Sequence, residues 1–205
     1  MSQPKQPAAV WWRPSQFLFL ILAVVFPTAA FAHTGAGVIG GFQSGFLHPI
    51  TGYDHLLAML AVGIWGAQMG GRSVWVLPVV FPLVMAVGGF FGAIGVPLPH
   101  VELLIALSVL GLGSAIALQW KAPEIIAVAA IGIFAVFHGH AHGAELPGAA
   151  DPVAYGVGFV TATGLIHLAG IGFGLLLGKL MKGWVSRGAG ALIALAGVYF
   201  LIGAL

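Results

Sequence analysis

Over residues 73–118 the sequence contains a single charged side chain, Glu102, and this long apolar stretch limits the folds that the chain can adopt. It is far longer than the ~20 residues that a helix needs to cross the hydrocarbon core of a bilayer. Overall, 60% of the residues are hydrophobic and 6% are charged, which excludes a water-soluble domain of this size. Because the apolar runs lack the alternation typical of β-barrel strands, the sequence predicts an all-α, polytopic membrane helical bundle.

Apolar segments separated by Gly, Pro and charged residues predict about six transmembrane helices in a single domain, residues 33–205. Each has close to the length needed to cross a bilayer. They are expected over residues 54–70, 74–95, 101–119, 124–143, 153–178 and 188–205. At ~1.5 Å per residue, segment 36–48 is too short to cross alone. Residues 36–53 therefore predict a re-entrant or interfacial half-helix that leads into a break at Pro49 and Gly52, with a tilted, discontinuous first span as the alternative.

The first 32 residues are typical of a cleavable signal sequence. Two basic residues precede the apolar run at 17–26, and Ala30-Phe31-Ala32 fits a small-x-small cleavage pattern. Cleavage there would leave His33 at the mature N-terminus, where its α-amino group and ring nitrogen could chelate a metal together. An uncleaved first helix is the alternative.

The few charged residues are expected to lie on opposite sides of the membrane according to their sign. All the basic residues of the mature chain fall in alternate loops, and the positive-inside rule places those loops in the cytoplasm. They are Arg72, Lys121, Lys179, Lys182 and Arg187. Four of the five acids fall near the other side, namely Asp54, Glu102, Glu145 and Asp151. This pattern predicts a bacterial inner-membrane protein with a periplasmic mature N-terminus and an acidic outer mouth that attracts cations. It gives no indication of a nucleic-acid partner.

Histidines are grouped near the same outer side. Seven of the eight are expected there, and the eighth, His167, lies well inside a predicted span; the seven are His33, His48, His55, His100, His138, His140 and His142. An ionisable side chain within a membrane is costly unless it has a partner or faces a wet cavity, so such residues predict a functional site. Because the chain has no cysteine, a metal would have to be held by nitrogen, oxygen or Met sulfur.

The segment from His48 to His55 combines two imidazoles and a carboxylate with a helix break. Pro49 has no N–H to donate, and Gly52 relaxes the turn, so backbone carbonyls could face an ion. Broken helices recur at the binding sites of secondary transporters. Asp54 could ligate a metal directly, or it could orient an imidazole as a hydrogen-bond partner.

A second group of candidate ligands lies near the end of the helix predicted at 124–143. His138 and His142 are four residues apart and share a helix face, and Glu145 follows three residues later. His140 is expected to point elsewhere but belongs to the same His-rich segment. The alternative is a solvated loop that binds nothing. His167 is either a ligand on an inward path or a hydrogen-bonded structural histidine.

The segment that begins at His48 resembles the HupE/UreJ family of hydrogenase and urease accessory membrane proteins. The family signature His-Pro-x-x-Gly-x-Asp-His-x-x-Ala-Met is matched at residues 48–59, and residues 137–145 and 164–170 also look like the family's pattern. The resemblance implies a nickel permease that serves hydrogenase or urease maturation, with metal chaperones as partners and cobalt as the substrate of some relatives. Imidazole and carboxylate without thiolate suit nickel, cobalt and zinc alike; nickel is chosen by the resemblance.

No Walker-type phosphate loop is present, so ATP hydrolysis by this chain is not expected. A dication entering a negative interior gains about 4.6 kcal/mol per 100 mV, which can drive uptake. We therefore expect a secondary transporter, with the metal as substrate and no prosthetic group. The alternatives are a non-transporting accessory protein that binds metal and a proton-conducting His/Asp relay. No nucleophile motif indicates an enzyme.

Overall fold

The computed structural model describes residues 41–146, 151–179 and 183–205, and the regular elements within these ranges are helices. They are α1 (Gly41–Thr51), α2 (Tyr53–Met69), α3 (Ser73–Ala93), α4 (Val101–Ala117), α5 (Glu124–Ala144), α6 (Pro152–Lys179) and α7 (Trp184–Ala204). The predicted signal sequence, His33 and Lys182 lie outside the described residues. Four of these helices, α3, α5, α6 and α7, are long and apolar enough to cross a membrane, and α4 is a shorter apolar helix. The all-α membrane bundle is thus confirmed.

Helix boundaries follow local sequence signals. Asp151 Oδ1 accepts hydrogen bonds from the backbone N–H groups of Val153 and Ala154 at 2.9 and 3.2 Å, and Pro152 occupies the first helical position of α6, where its missing N–H is not needed. Helix α7 begins at Trp184, before the expected residue 188, because Gly183 takes a left-handed conformation with φ 84° and allows the chain to turn.

The first span is discontinuous. Gly52 interrupts the helix with φ −84° and ψ 103°, and α1 and α2 lie one after the other along α6, in the same direction. Their contacts run from Gly45 beside Tyr155 to Gly63 beside His167. The structure therefore shows the broken helix rather than a re-entrant half-helix, because α1 packs against the first turns of α6 instead of turning back.

Glycine brings the backbones of three groups of helices into direct contact. Helices α1 and α2 pack on α6, α3 packs on α5, and α4 packs on α7. A side-chain carbon at Gly63, Gly139 or Gly113 would overlap the backbone of the neighbouring helix. Helix α2 contacts α3, α4, α6 and α7. His55 near its start is consequently surrounded by protein and is 8% exposed.

Candidate metal centre

The outermost part of the site joins the ends of α1 and α5. His48 Nε2 lies 3.1 Å from Glu145 Oε2, and ligand atoms of His48, His142 and Glu145 all lie within 4.8 Å of one another. His142 is buried, whereas the Glu145 side chain is 60% exposed. The hydrogen bond from His48 holds the pKa of Glu145 below its ordinary value, so the carboxylate stays ionised. His48, His142 and Glu145 thus form a negatively charged entry that offers two imidazoles as possible metal ligands.

From this entry the imidazoles continue into the bundle. The ring centroids of His48 and His142 are 4.8 Å apart, those of His142 and His55 are 4.2 Å apart, and those of His55 and His138 are 4.7 Å apart. Each pair meets edge to face. The series runs from a half-buried ring at His48 to a fully buried ring at His138. Neighbouring rings are therefore in contact along the whole series. We call these four residues the histidine series.

Asp54 orients His55. Its Oδ1 lies 2.8 Å from His55 Nδ1 and also accepts the backbone N–H of His55 at 2.8 Å. Because Nδ1 carries the proton of this hydrogen bond, Nε2 keeps a lone pair, and Nε2 is buried with no hydrogen-bond partner among the described residues. This is the arrangement in which a carboxylate fixes the tautomer of a metal-binding imidazole.

Ser108, which sequence reasoning missed, has the equivalent relation to His138. Its hydroxyl donates to the carbonyl oxygen of Ile105 at 2.6 Å, and its Oγ lies 2.8 Å from His138 Nε2. Since the single hydroxyl proton is already used, Oγ accepts a hydrogen bond from the Nε2–H of His138, and the lone pair of this ring is on Nδ1. The only sequence signal was a polar residue in an otherwise apolar segment.

Phe81 separates the histidine series from the deepest histidine. Its ring centroid lies 5.5 Å from that of His138 and 5.6 Å from that of His167. His167 is 2% exposed, and the Pro78 carbonyl oxygen is a hydrogen-bond acceptor for one of its ring nitrogens, while the other lacks a partner within the described part of the chain. Both expectations for His167, a ligand on an inward path and a hydrogen-bonded structural histidine, stay predictions. A phenylalanine in an apolar helix gave no signal in the sequence.

Other sequence candidates lie outside the histidine series. His140 Nε2 donates to the Val96 carbonyl oxygen at 2.7 Å, so its ring faces the loop between α3 and α4. Asp151 caps α6 rather than lining the mouth. Glu102 lines a cavity of about 500 Å³ that Asp54 also borders. His140 points away because residues two apart on a helix lie on different faces.

Comparison with known proteins identifies the group to which this arrangement belongs. Residues 20–200 match the family described as HupE / UreJ protein. The chain belongs to the HupE/UreJ family. Protein HupE of Rhizobium leguminosarum bv. viciae is 42% identical over 189 residues, which cover 92% of this chain and 98% of that protein. No solved structure matches the sequence. The HupE/UreJ match includes the residues of the histidine series and His167.

We expect Asp54→Asn to weaken nickel binding by at least about tenfold, because loss of an oriented carboxylate partner typically lowers metal affinity by 10- to 100-fold. Isothermal titration of the detergent-solubilised protein measures this change. Asp151→Asn is the matched control, since Asn caps a helix as well as Asp does and the hydrogen bonds of the Asp151 carboxylate go to the backbone of Val153 and Ala154. Equal affinities for the two variants would show that Asp54 does not position His55.

Proposed function

We propose that this HupE/UreJ protein is a secondary transporter that carries a divalent transition metal ion across the bacterial inner membrane into the cytoplasm, without ATP, for hydrogenase or urease maturation. Nickel is the proposed substrate and cobalt the alternative. The observation that carries the proposal is the histidine series, which starts at an ionised carboxylate and continues into the bundle. Burying an imidazole nitrogen without a hydrogen-bond partner in a membrane protein costs free energy unless that nitrogen binds a ligand.

The geometry supports a stepwise path. The carboxylate of Glu145 attracts the hydrated cation, and His48 and His142 replace part of its water. The ion then moves between His142 and His55, whose rings are 4.2 Å apart, so one imidazole can stay bound while the next one binds. His138 receives the ion at full burial, and His167 lies beyond Phe81. Each exchange replaces lost hydration with nitrogen ligands.

The direction of transport follows from charge. The described basic residues lie at the helix ends opposite to His48 and Glu145, which favours a periplasmic entry; they are Arg72, Lys121, Lys179 and Arg187. An inside-negative potential would then draw a dication inward with about 4.6 kcal/mol per 100 mV. The proposed role is not enzymatic, and the metal is cargo rather than cofactor.

The proposal is tested with purified protein in liposomes. We expect an imposed inside-negative potential to drive nickel uptake by the wild type, with cobalt and zinc measured in parallel. His48→Ala/His55→Ala, inserted at the same level, should take up no more nickel than protein-free liposomes, because two members of the histidine series are lost. Undiminished uptake by that variant would contradict the assignment.

A non-transporting accessory protein that binds metal is the second candidate. Two hydrogen bonds that join the inner end of α2 to the end of α4 and the residues after it favour this candidate, because they oppose separation of these helices. Trp65 Nε1 donates to the Trp120 carbonyl oxygen at 2.9 Å, and Gln68 Nε2 donates to that of Ile116 at 3.1 Å. Nickel that binds tightly to liposome-reconstituted protein but never reaches the lumen would support this candidate over the transporter.

Metal uptake should depend on external pH. An imidazole must be neutral to bind a metal, and the ordinary pKa of histidine is ~6.5, so we expect uptake to fall as the external pH drops below about 6. Glu145 does not cause this fall. Its pKa is lowered beneath the ordinary 4.5, so its carboxylate is ionised throughout this pH range and loses its charge only as the pH falls through the lowered value. A pH profile at constant potential measures the effect. A Glu145→Gln profile that loses the drop near pH 6 would contradict this division.

A further inference from the structure

One hydroxyl in the bundle has no role in the path described so far. Thr163 lies on the buried stripe of α6, is fully buried, and its Oγ1 has no hydrogen-bond partner among the described residues. A threonine in a helix ordinarily bonds to a carbonyl of the preceding turn. Thr161 does so on the exposed side of the same helix, where Oγ1 donates to the Val157 carbonyl oxygen at 2.7 Å. Thr163 thus departs from the behaviour of its neighbour.

An unpaired buried hydroxyl is destabilising, and valine would fill the same space without that penalty. The position of Thr163 explains why a hydroxyl would be useful there. Phe159, one turn before it, contacts the His142 ring at a centroid distance of 4.4 Å. His167, one turn after it, has at least one ring nitrogen without a hydrogen-bond partner among the described residues. Thr163 therefore lies on α6 between the contact with the histidine series and the deepest histidine.

The donors near this level are all uncharged. They are the hydroxyl of Thr163, the ring of His167 and, on the other side of Phe81, Nδ1 of His138, which also lacks a partner within the described residues. Imidazole nitrogen suits nickel and zinc, and a neutral hydroxyl oxygen adds a weak further ligand. A set without a carboxylate holds a dication less tightly than the entry at Glu145 does, and a site on a path must release its ion.

We propose that Thr163 Oγ1 and His167 form a second, deeper metal-binding site, which receives the ion from His138 when the Phe81 ring turns aside. This inference rests on the proposed function for its place on the path. The site itself is defined by binding and can be tested without transport.

The binding test uses solubilised protein in which the entry is removed by His48→Ala/His142→Ala. In that background we expect one weak site for nickel or cobalt, measured by equilibrium dialysis. Adding Thr163→Val should weaken it at least tenfold, whereas adding Thr163→Ser, which keeps the hydroxyl, or Thr161→Val should leave it within twofold. A site unaffected by Thr163→Val, or no site in the background, would overturn the proposal.

Thermal unfolding separates this role from a structural one. Thr163→Val removes an unpaired hydroxyl, so its melting temperature should equal or exceed that of the wild type while binding falls. Loss of binding together with a lower melting temperature would overturn the proposal, because it would show that the hydroxyl supports the fold. If the wild type moves no nickel into liposomes but Thr163→Val still weakens the site, the transport function fails and this inference stands. If the wild type takes up nickel normally but Thr163→Val leaves binding unchanged, the transport function stands and this inference fails.

Discussion

Replacing His142 by alanine is expected to abolish metal uptake. Among the described residues, His142 is the one whose ring contacts both His48, at a centroid distance of 4.8 Å, and His55, at 4.2 Å. Its loss removes a ligand of the entry and the step from the entry into the bundle. If that step loses about 3 kcal/mol of stabilisation, the rate falls by about 100-fold. The measurement is the initial rate of nickel uptake into liposomes under an imposed potential.

His140→Ala is the matched control for this variant. The two histidines lie two residues apart on α5 and are both buried, but His140 binds the Val96 carbonyl oxygen instead of the other rings. We expect His140→Ala to keep uptake within a few-fold of the wild type while reducing thermal stability by about 1 kcal/mol, the worth of one hydrogen bond. Equal loss of uptake in both variants would show that the order of rings in the histidine series does not define the path.

The second large effect is expected at Gly139. A side-chain carbon at this position would overlap the Met85 carbonyl oxygen and would lie 2.8 Å from the Gly89 nitrogen. Neither backbone atom can move aside without displacing α3 from α5. Gly139→Ala should therefore destabilise the protein by about 1–3 kcal/mol or more, although alanine is the better helix former by about 1 kcal/mol. It should also reduce uptake, because His138 and His142 flank this contact.

Gly132→Ala provides the control on the same helix. A carbon added at Gly132 meets no atom within 4 Å, so the intrinsic preference of alanine for helices should leave the melting temperature unchanged or raised. The difference in melting temperature is measured by thermal unfolding of both variants in the same detergent, with circular dichroism as the signal. A Gly139→Ala protein as stable as Gly132→Ala would contradict the close approach of α3 and α5.

Much of the fold could be predicted from hydropathy and spacing, because both report local requirements of the bilayer. The predicted helix at 124–143 agrees with Glu124–Ala144, and the break at Gly52 was marked by a Pro and a Gly. The pairing of α1 with α6 could not be predicted, since it depends on which glycines face each other across the bundle. A discontinuous span consequently remained only the alternative expectation for residues 36–53.

For the candidate site, too, local features could be predicted from the sequence, whereas contacts between distant segments could not. Helical spacing indicated that His138 and His142 share a face, and both do contact His55. Spacing gives no account of partners from distant segments, so the Ser108 hydrogen bond that sets the tautomer of His138 and the position of Phe81 were missed. Asp151 was assigned to the mouth by its charge, but its hydrogen bonds to the start of α6 are local and define its role.

The glycine contacts have a mechanical consequence for the site. His48, His55 and His167 belong to the group of α1, α2 and α6, whereas Phe81, His138 and His142 belong to the pair of α3 and α5. Because backbones touch inside each group, a shift within a group would make backbone atoms overlap, so we expect each group to move as one unit. The facing rings line the seam between the two groups. A small slide along the seam would change every distance between facing rings at once. An ion bound there would act as a crosslink that stiffens the seam.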